Sequence, residues 1–93
     1  MILADKIRSL ELPEHFECTV TRFQKATEKF RLHSRIGSKN IWIDAEILAP
    51  HKSRFKIGRR IQVKRPTEPE WHLPENIVCK IWNIYSGSAE STK

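Results

Sequence analysis

The hydrophobic residues of this chain follow two different periods. Between Ile2 and Leu10 they recur at helical spacing, at Ile2, Leu3, Ile7 and Leu10, which predicts a short amphipathic helix. Because so short a helix is unstable alone, it must dock on the rest of the chain or fray. After Pro13 the period changes to two, as in strands with one buried face. The pattern predicts a helical segment over residues 1–12 and a β domain over residues 13–85.

Five segments carry the period-two pattern, near residues 16–21, 29–36, 41–48, 59–65 and 77–85. Ile84 breaks the alternation of the last segment, which predicts a β-bulge. Residues 37–40 form a short connection typical of a hairpin. Residues 66–76 contain three prolines and are expected to be an eleven-residue loop rather than a central strand. Residues 86–93 have the composition of a disordered tail.

Short strands with one hydrophobic face each are typical of a small barrel, which also removes exposed sheet edges. The expected fold is therefore all-β: a five-stranded, closed or nearly closed barrel with a short N-terminal helical segment. At 93 residues the chain has the length of one domain.

The order of elements resembles the oligonucleotide/oligosaccharide-binding (OB) fold: three meandering strands, a linker and two further strands. The segment Phe55–Val63, in which Gly58 precedes alternating branched residues, is similar to the entry to that fold's fourth strand. The resemblance covers residues 14–85 and implies a binding site on the outer face of strands two and three. A five-stranded SH3-like barrel is the alternative topology.

Charge is distributed unevenly along the chain. The net charge is +6 and the isoelectric point is about 9.7, which favours an acidic partner. Residues 22–65 contain thirteen Lys or Arg against three acidic residues, whereas the remainder contains four basic and eight acidic residues. The middle of the chain therefore carries the expected anion-binding surface.

The basic residues of the second predicted strand alternate, which places Lys29, Arg31, His33 and Arg35 on one face. Trp42 is expected to point outward from the adjacent strand. A cationic row beside an exposed aromatic ring is typical of proteins that bind single strands, since the charges follow the backbone and the ring stacks on a base. Burial of Trp42, and an ordinary solvated strand face paired with acidic neighbours, are the alternatives.

A second basic cluster precedes and includes the fourth predicted strand. We include four of its members and one loop aromatic in the expected nucleic-acid-binding set: Lys52, Arg54, Arg60, Lys64 and Trp71. For Trp71 the alternative is a lid over the mouth of the barrel. Trp82 and Tyr85, on the last predicted strand, are expected to favour core packing.

Several classes of protein fit the sequence poorly. No nucleophile–base grouping, phosphate-binding glycine loop or paired carboxylate is evident, so an enzyme is not expected. Cys18 and Cys79 lie in apolar alternating segments without metal-ligand spacing, which predicts reduced core thiols and no cofactor. The chain has neither a segment apolar enough to span a membrane nor a signal peptide, which predicts a cytoplasmic, intracellular protein.

The sequence therefore predicts a binding protein for single-stranded DNA or RNA. The alternative is a protein–protein interaction module or small accessory subunit of a larger phage, plasmid or cellular assembly, or a homodimer. A modest outward apolar patch, with Trp42 and Leu48 on one face and Phe23 on another, would favour that alternative.

Overall fold

A computed structural model describes residues 2–48 and 56–87 of the chain. The elements in this part of the chain are, in order, α1 (Leu3–Ser9), β1 (His15–Gln24), β2 (Lys29–Ile36), β3 (Lys39–Ile47), β4 (Arg60–Lys64), β5 (Glu70–Leu73), a 3₁₀ turn (Pro74–Asn76) and β6 (Ile77–Ser86). The prediction of a mostly β, nearly closed barrel with one short N-terminal helix is confirmed. The strand count was wrong, because the described residues form six strands rather than five.

The six strands form one sheet in the order β4-β1-β2-β3-β6-β5, and every pairing is antiparallel. The β2–β3 hairpin pairs Lys29 with Glu46 at one end and Ile36 with Lys39 at the other. Gly37 takes a φ of +62° in the connecting turn, a conformation that glycine adopts without strain. The predicted alternation of buried and outward residues along β2 is therefore realised in three dimensions.

The sheet curls around a single apolar core. Its fully buried members come from five strands and include Cys18, Leu32, Ile43, Val63 and Ile81. Alternate residues of each strand point into this core, so their neighbours form the outer face of the barrel. The predicted burial of both cysteine thiols is confirmed, and neither is in a disulfide.

The last strand contains the predicted bulge. Ile81 lies opposite Ala45 and Asn83 lies opposite Asp44, so Trp82 is the extra residue between them. Both Ile81 and Ile84 consequently remain in the core although they are three residues apart. Trp82 itself is exposed on the outer face, and its position determines the geometry of the site described below.

The two edge strands, β4 and β5, face each other across the remaining seam of the barrel. Trp71 on β5 is buried, and its Nε1 donates a hydrogen bond to the carbonyl oxygen of Lys64 at the end of β4, at 2.8 Å. The Trp71 ring also stacks near Phe16 of β1, with 6.4 Å between ring centroids. Trp71 therefore links the two edges where no backbone ladder joins them.

Strand β5 lies inside the proline-rich segment that the sequence predicted as a loop. Pro66, Pro69 and Pro74 flank it rather than interrupt it, so the backbone N–H groups of residues 70–73 remain available for pairing with β6. The prediction of an eleven-residue loop was therefore wrong.

Helix α1 packs against β6. Its Ile7 is buried in the core, while Leu3 and Leu10 pack at the margin. Lys6 Nζ donates to Asn83 Oδ1 at 3.0 Å, so the helix is also attached to the bulge. No helix within residues 2–48 and 56–87 has the length and apolarity that a bilayer crossing requires. The predicted tail began two residues too early, because Ser86 ends β6 and the Gly87 N–H donates to the carbonyl oxygen of Asn40. The rest of the predicted tail lies outside the described residues.

Candidate nucleic-acid interface

The predicted cationic row of β2 lies on the outer face of the barrel. Lys29, Arg31, His33 and Arg35 alternate with Phe30, Leu32 and Ser34, which are buried. The cross-strand partners on β3 are Glu46, Asp44, Trp42 and Asn40, in that order. The four residues therefore share one face, but each meets a different neighbour.

Arg31 is paired with an acidic residue of β3. Its Nε donates to Asp44 Oδ1 at 2.8 Å, and its Nη2 donates to Oδ2 at 3.3 Å. The pair is only partly exposed, with 18% of the Arg31 side chain and 23% of the Asp44 side chain accessible. A two-point contact of this kind orients the guanidinium and neutralises part of its charge.

His33 covers Trp42 rather than extending into solvent. The two rings are 4.4 Å apart between centroids at an interplanar angle of 41°. His33 Nε2 donates to Asn40 Oδ1 at 2.9 Å, which holds the imidazole in place. Trp42 points outward from β3 as predicted, but it is only 7% exposed, and its Nε1 has no hydrogen-bond partner among the described residues.

The burial of Trp42 corrects its expected role in base stacking, and the burial of Trp71 favours a lid over contact with nucleic acid. Trp42 lies under His33 and next to Tyr85, and Trp71 is 2% exposed within the core and closes the seam. Neither ring presents a free face on which a base can stack. For Trp71, the alternative of a structural lid fits the observed position better.

Trp82 is the exposed tryptophan, with 48% of its surface accessible. Its Nε1 donates to Glu46 Oε1 on β3 at 2.9 Å, so the indole lies across the neighbouring strand. Lys29 Nζ lies 4.3 Å from the centroid of the ring, and Lys80 Nζ lies 5.0 Å from it. Both distances are in the range of a cation–π contact.

A groove of about 360 Å³ opens beside this indole on the outer face. We call it the outer groove. It extends across β1, β2, β3 and β6 and is lined by Arg22, Gln24, Lys29, Phe30, Arg31, Asp44, Trp82 and Asn83. Three of the lining side chains are cationic and one is acidic, so the groove combines positive charge, amide groups and an exposed aromatic ring.

The other predicted residues lie around or outside this groove. Arg35 is exposed near the β2–β3 turn. Arg60 and Lys64 are exposed on β4, where Arg60 lies opposite Thr19 of β1 and Lys64 lies opposite His15. Lys52 and Arg54 lie outside the described residues.

Sequence reasoning missed Trp82, Lys80 and Arg22 as members of the surface. Trp82 was expected to favour core packing, although the alternation of Cys79 and Ile81 as inward residues places it outward. That alternation was the available signal, and the bulge acts after Trp82, where it returns Ile84 to the core. The proximity of Lys29 to Trp82 depends on the β2-β3-β6 order, which the sequence does not reveal.

Residues 2–48 and 56–87 contain no group of three or more His, Cys, Asp or Glu side chains suited to a metal ion. Burial raises the pKa of both the Cys18 and the Cys79 thiol to about 12, which keeps them protonated and weakly nucleophilic at neutral pH.

No protein-family model, curated protein or solved structure matches the chain. The interpretation of the outer groove therefore depends on its own geometry.

Proposed function

We propose that the protein binds single-stranded nucleic acid in the outer groove of an OB-like barrel. The observation that carries the proposal is the exposed Trp82 indole, which Glu46 holds in a groove lined by Arg22, Lys29 and Arg31. Aromatic rings stack with bases of any sequence, and cationic side chains neutralise the backbone phosphates. The combination suits a ligand that is both flat and polyanionic.

The orientation of the groove supports a ligand that crosses the strands. Trp82 lies on β6 and Arg22 on β1, with β3 and β2 between them. Three inter-strand spacings correspond to about 14 Å, which accommodates a short run of nucleotides. Arg35 and Arg60 lie on the same outer face and extend the positive surface beyond the groove.

Single strands are favoured over duplexes because stacking on Trp82 requires an unpaired base. In a duplex both faces of each base are covered by its neighbours, and extruding a base costs a few kcal/mol. The groove offers few side chains for reading base edges, chiefly the amides of Gln24 and Asn83. We therefore expect weak sequence preference and strong dependence on salt.

Intrinsic fluorescence tests the proposal directly, because Trp42 and Trp71 are buried and Trp82 is exposed. A titration with a ten-nucleotide oligo(dT) at 50 and 200 mM salt is expected to quench Trp82, with weaker binding at the higher salt. A Trp82→Leu variant should lose the quenching and bind less tightly, since stacking contributes about 1–3 kcal/mol per base.

Two controls make the titration decisive. A Trp42→Phe variant leaves Trp82 in place and should bind like the wild type. A hairpin duplex of equal charge should bind less tightly than the single strand. Absence of oligonucleotide binding to the wild type at 50 mM salt, measured by anisotropy of a labelled strand, would overturn the proposal and favour the acidic protein partner.

The structure removes one argument for the alternative of a protein partner. The apolar patch expected from Trp42, Leu48 and Phe23 does not form, because Trp42 is buried and Phe23 packs against the core. Leu48 remains exposed without them. The protein partner therefore remains an alternative that the oligonucleotide titration tests.

A further inference from the structure

The ring that the proposed function uses for stacking is covered by a cation in the structure. Lys29 Nζ lies 4.3 Å from the Trp82 ring centroid, about the distance at which a stacked base would lie. An ammonium group and a base cannot occupy the same ring face. A base that stacks there must displace whichever cation lies on that face.

Two lysines contact the indole, and the groove distinguishes them. Lys29 and Trp82 both line the outer groove, whereas Lys80 does not. Lys29, at the shorter distance, is therefore the cation that borders the groove, whereas Lys80, at 5.0 Å, is not among the residues that line it. The indole itself is attached to Glu46 through its Nε1, so the lysine side chain is the more mobile partner.

We propose that Lys29 is a displaceable gate on Trp82: its ammonium covers the stacking face in the free protein and moves to a phosphate when a base stacks. The inference depends on the proposed function and adds how the site selects its ligand. A ligand must supply both a flat ring to replace the ammonium and an anion to receive it. Free nucleobases and abasic phosphate chains each supply one of the two.

The exchange is favourable because a desolvated stack on a base is worth more than an exposed cation–π contact. Lys29 has opposite effects on affinity at low and high salt. At low salt its charge attracts phosphate, whereas at high salt that attraction is screened and the cost of uncovering the ring remains. A variant without the ammonium should therefore bind less tightly than wild type at low salt and more tightly at high salt.

Lys29→Thr keeps a residue suited to a strand and removes the ammonium. Relative to wild type, we expect oligo(dT) affinity to fall by several-fold at 50 mM salt and to rise by about two- to five-fold at 1 M salt, the factor set by the lost cation–π contact. The matched Lys80→Thr variant should show the loss at low salt without the gain. Lower affinity of Lys29→Thr than of wild type at every salt concentration would overturn the proposal that Lys29 is a displaceable gate.

NMR of the lysine side chains provides a second test. In the free protein, the Hε protons of both lysines should be shifted upfield by the indole ring current, and Trp82→Leu should abolish both shifts. Saturating oligo(dT) should return Lys29 to an ordinary shift and leave Lys80 upfield, whereas an abasic strand of equal length should leave both unchanged. If oligo(dT) binds and Lys29 stays upfield, the gate is wrong but the proposed function survives; if oligo(dT) does not bind, the proposed function is wrong as well.

Discussion

The Arg31–Asp44 pair sets how much positive charge the outer groove presents. Both side chains line the groove, and the carboxylate accepts two hydrogen bonds from the guanidinium. A partly exposed pair contributes little to stability, at most about 1 kcal/mol. It has a larger effect on ligand binding, because Asp44 repels phosphate at the position where Arg31 would attract it.

Removing that carboxylate should strengthen binding. Asp44→Asn keeps the shape of the side chain and removes the carboxylate charge beside Arg31. For a single strand, we expect the slope of log affinity against log salt concentration to steepen by about 0.7. The ratio of variant affinity to wild-type affinity should therefore be about fivefold larger at 0.1 M salt than at 1 M salt. Glu17→Gln, an equal change in net charge on β1 outside the groove, is the control and should have a much smaller effect.

Arg31→Ala should weaken binding more than Arg35→Ala. Arg35 is exposed on the same strand, and its loss removes one phosphate contact and lowers the slope by about 0.7. Loss of Arg31 in addition leaves the Asp44 carboxylate unpaired in the groove. The double variant Arg31→Ala/Asp44→Asn restores the net charge of the groove and should bind nearly as tightly as the wild type, and failure of that rescue would argue against repulsion by Asp44.

At the scale of elements, the barrel depends on how its seam between β4 and β5 is closed. Strand β5 has only four residues and pairs with β6 on one side. The Trp71 hydrogen bond to the Lys64 carbonyl and the stack near Phe16 connect it to the opposite edge. A side chain therefore supplies the closure that a longer backbone ladder supplies in a fully closed barrel.

The substitution Trp71→Phe measures how much the Trp71 hydrogen bond contributes to closing the seam. The substitution retains an aromatic ring but leaves the Lys64 carbonyl without its Trp71 donor, which should cost about 1–3 kcal/mol in the free energy of unfolding. Trp42→Phe is a matched control, because it removes similar ring area and a buried N–H that has no partner among the described residues. We expect the urea midpoint to fall much further for Trp71→Phe, with similar m-values. Equal shifts would show that ring volume rather than the hydrogen bond matters.

The elements also show where sequence patterns succeed. Strand β2 was predictable because Phe30, Leu32 and Ser34 alternate regularly with charged residues, and a single register satisfies that pattern. Strand β5 was not, because Glu70–Leu73 contains only two buried residues, Trp71 and Leu73, between prolines. Trp82 was expected in the core although the alternation of Cys79 and Ile81 as inward residues already places it outward. The position of Ile84 in the core, by contrast, depends on the bulge opposite β3.

At the scale of the whole molecule, folding converts the uneven distribution of charge along the sequence into an uneven distribution of charge over the surface. The basic residues of the middle of the chain come together with Lys80, which lies far away in sequence, because β6 pairs with β3. Composition predicted the positive surface, whereas the position of its aromatic partner required the strand order. We therefore expect variants that change strand pairing to disturb ligand binding even when they keep every basic residue.

The two buried thiols make the stability of the molecule depend on pH in the alkaline range. Burial raises the pKa of Cys18 and Cys79 from 9.0 to about 12 in the folded state. Between those values the unfolded chain releases protons that the folded chain retains. Each thiol should therefore lower the free energy of unfolding by about 1.4 kcal/mol per pH unit above about pH 9. Below that pH neither state has released the protons, so their contribution is constant.

The double variant Cys18→Ala/Cys79→Ala tests this linkage, since alanine does not ionise. Its stability should be lower at pH 8 because two buried sulfur atoms are lost from the core. As the pH rises to 11, however, its urea midpoint should fall less steeply than that of the wild type. Every other ionisable side chain is the same in both proteins, so the difference between the two slopes isolates the thiols. Parallel curves would mean that the thiols ionise as readily in the folded barrel as in the unfolded chain, which their burial makes unfavourable.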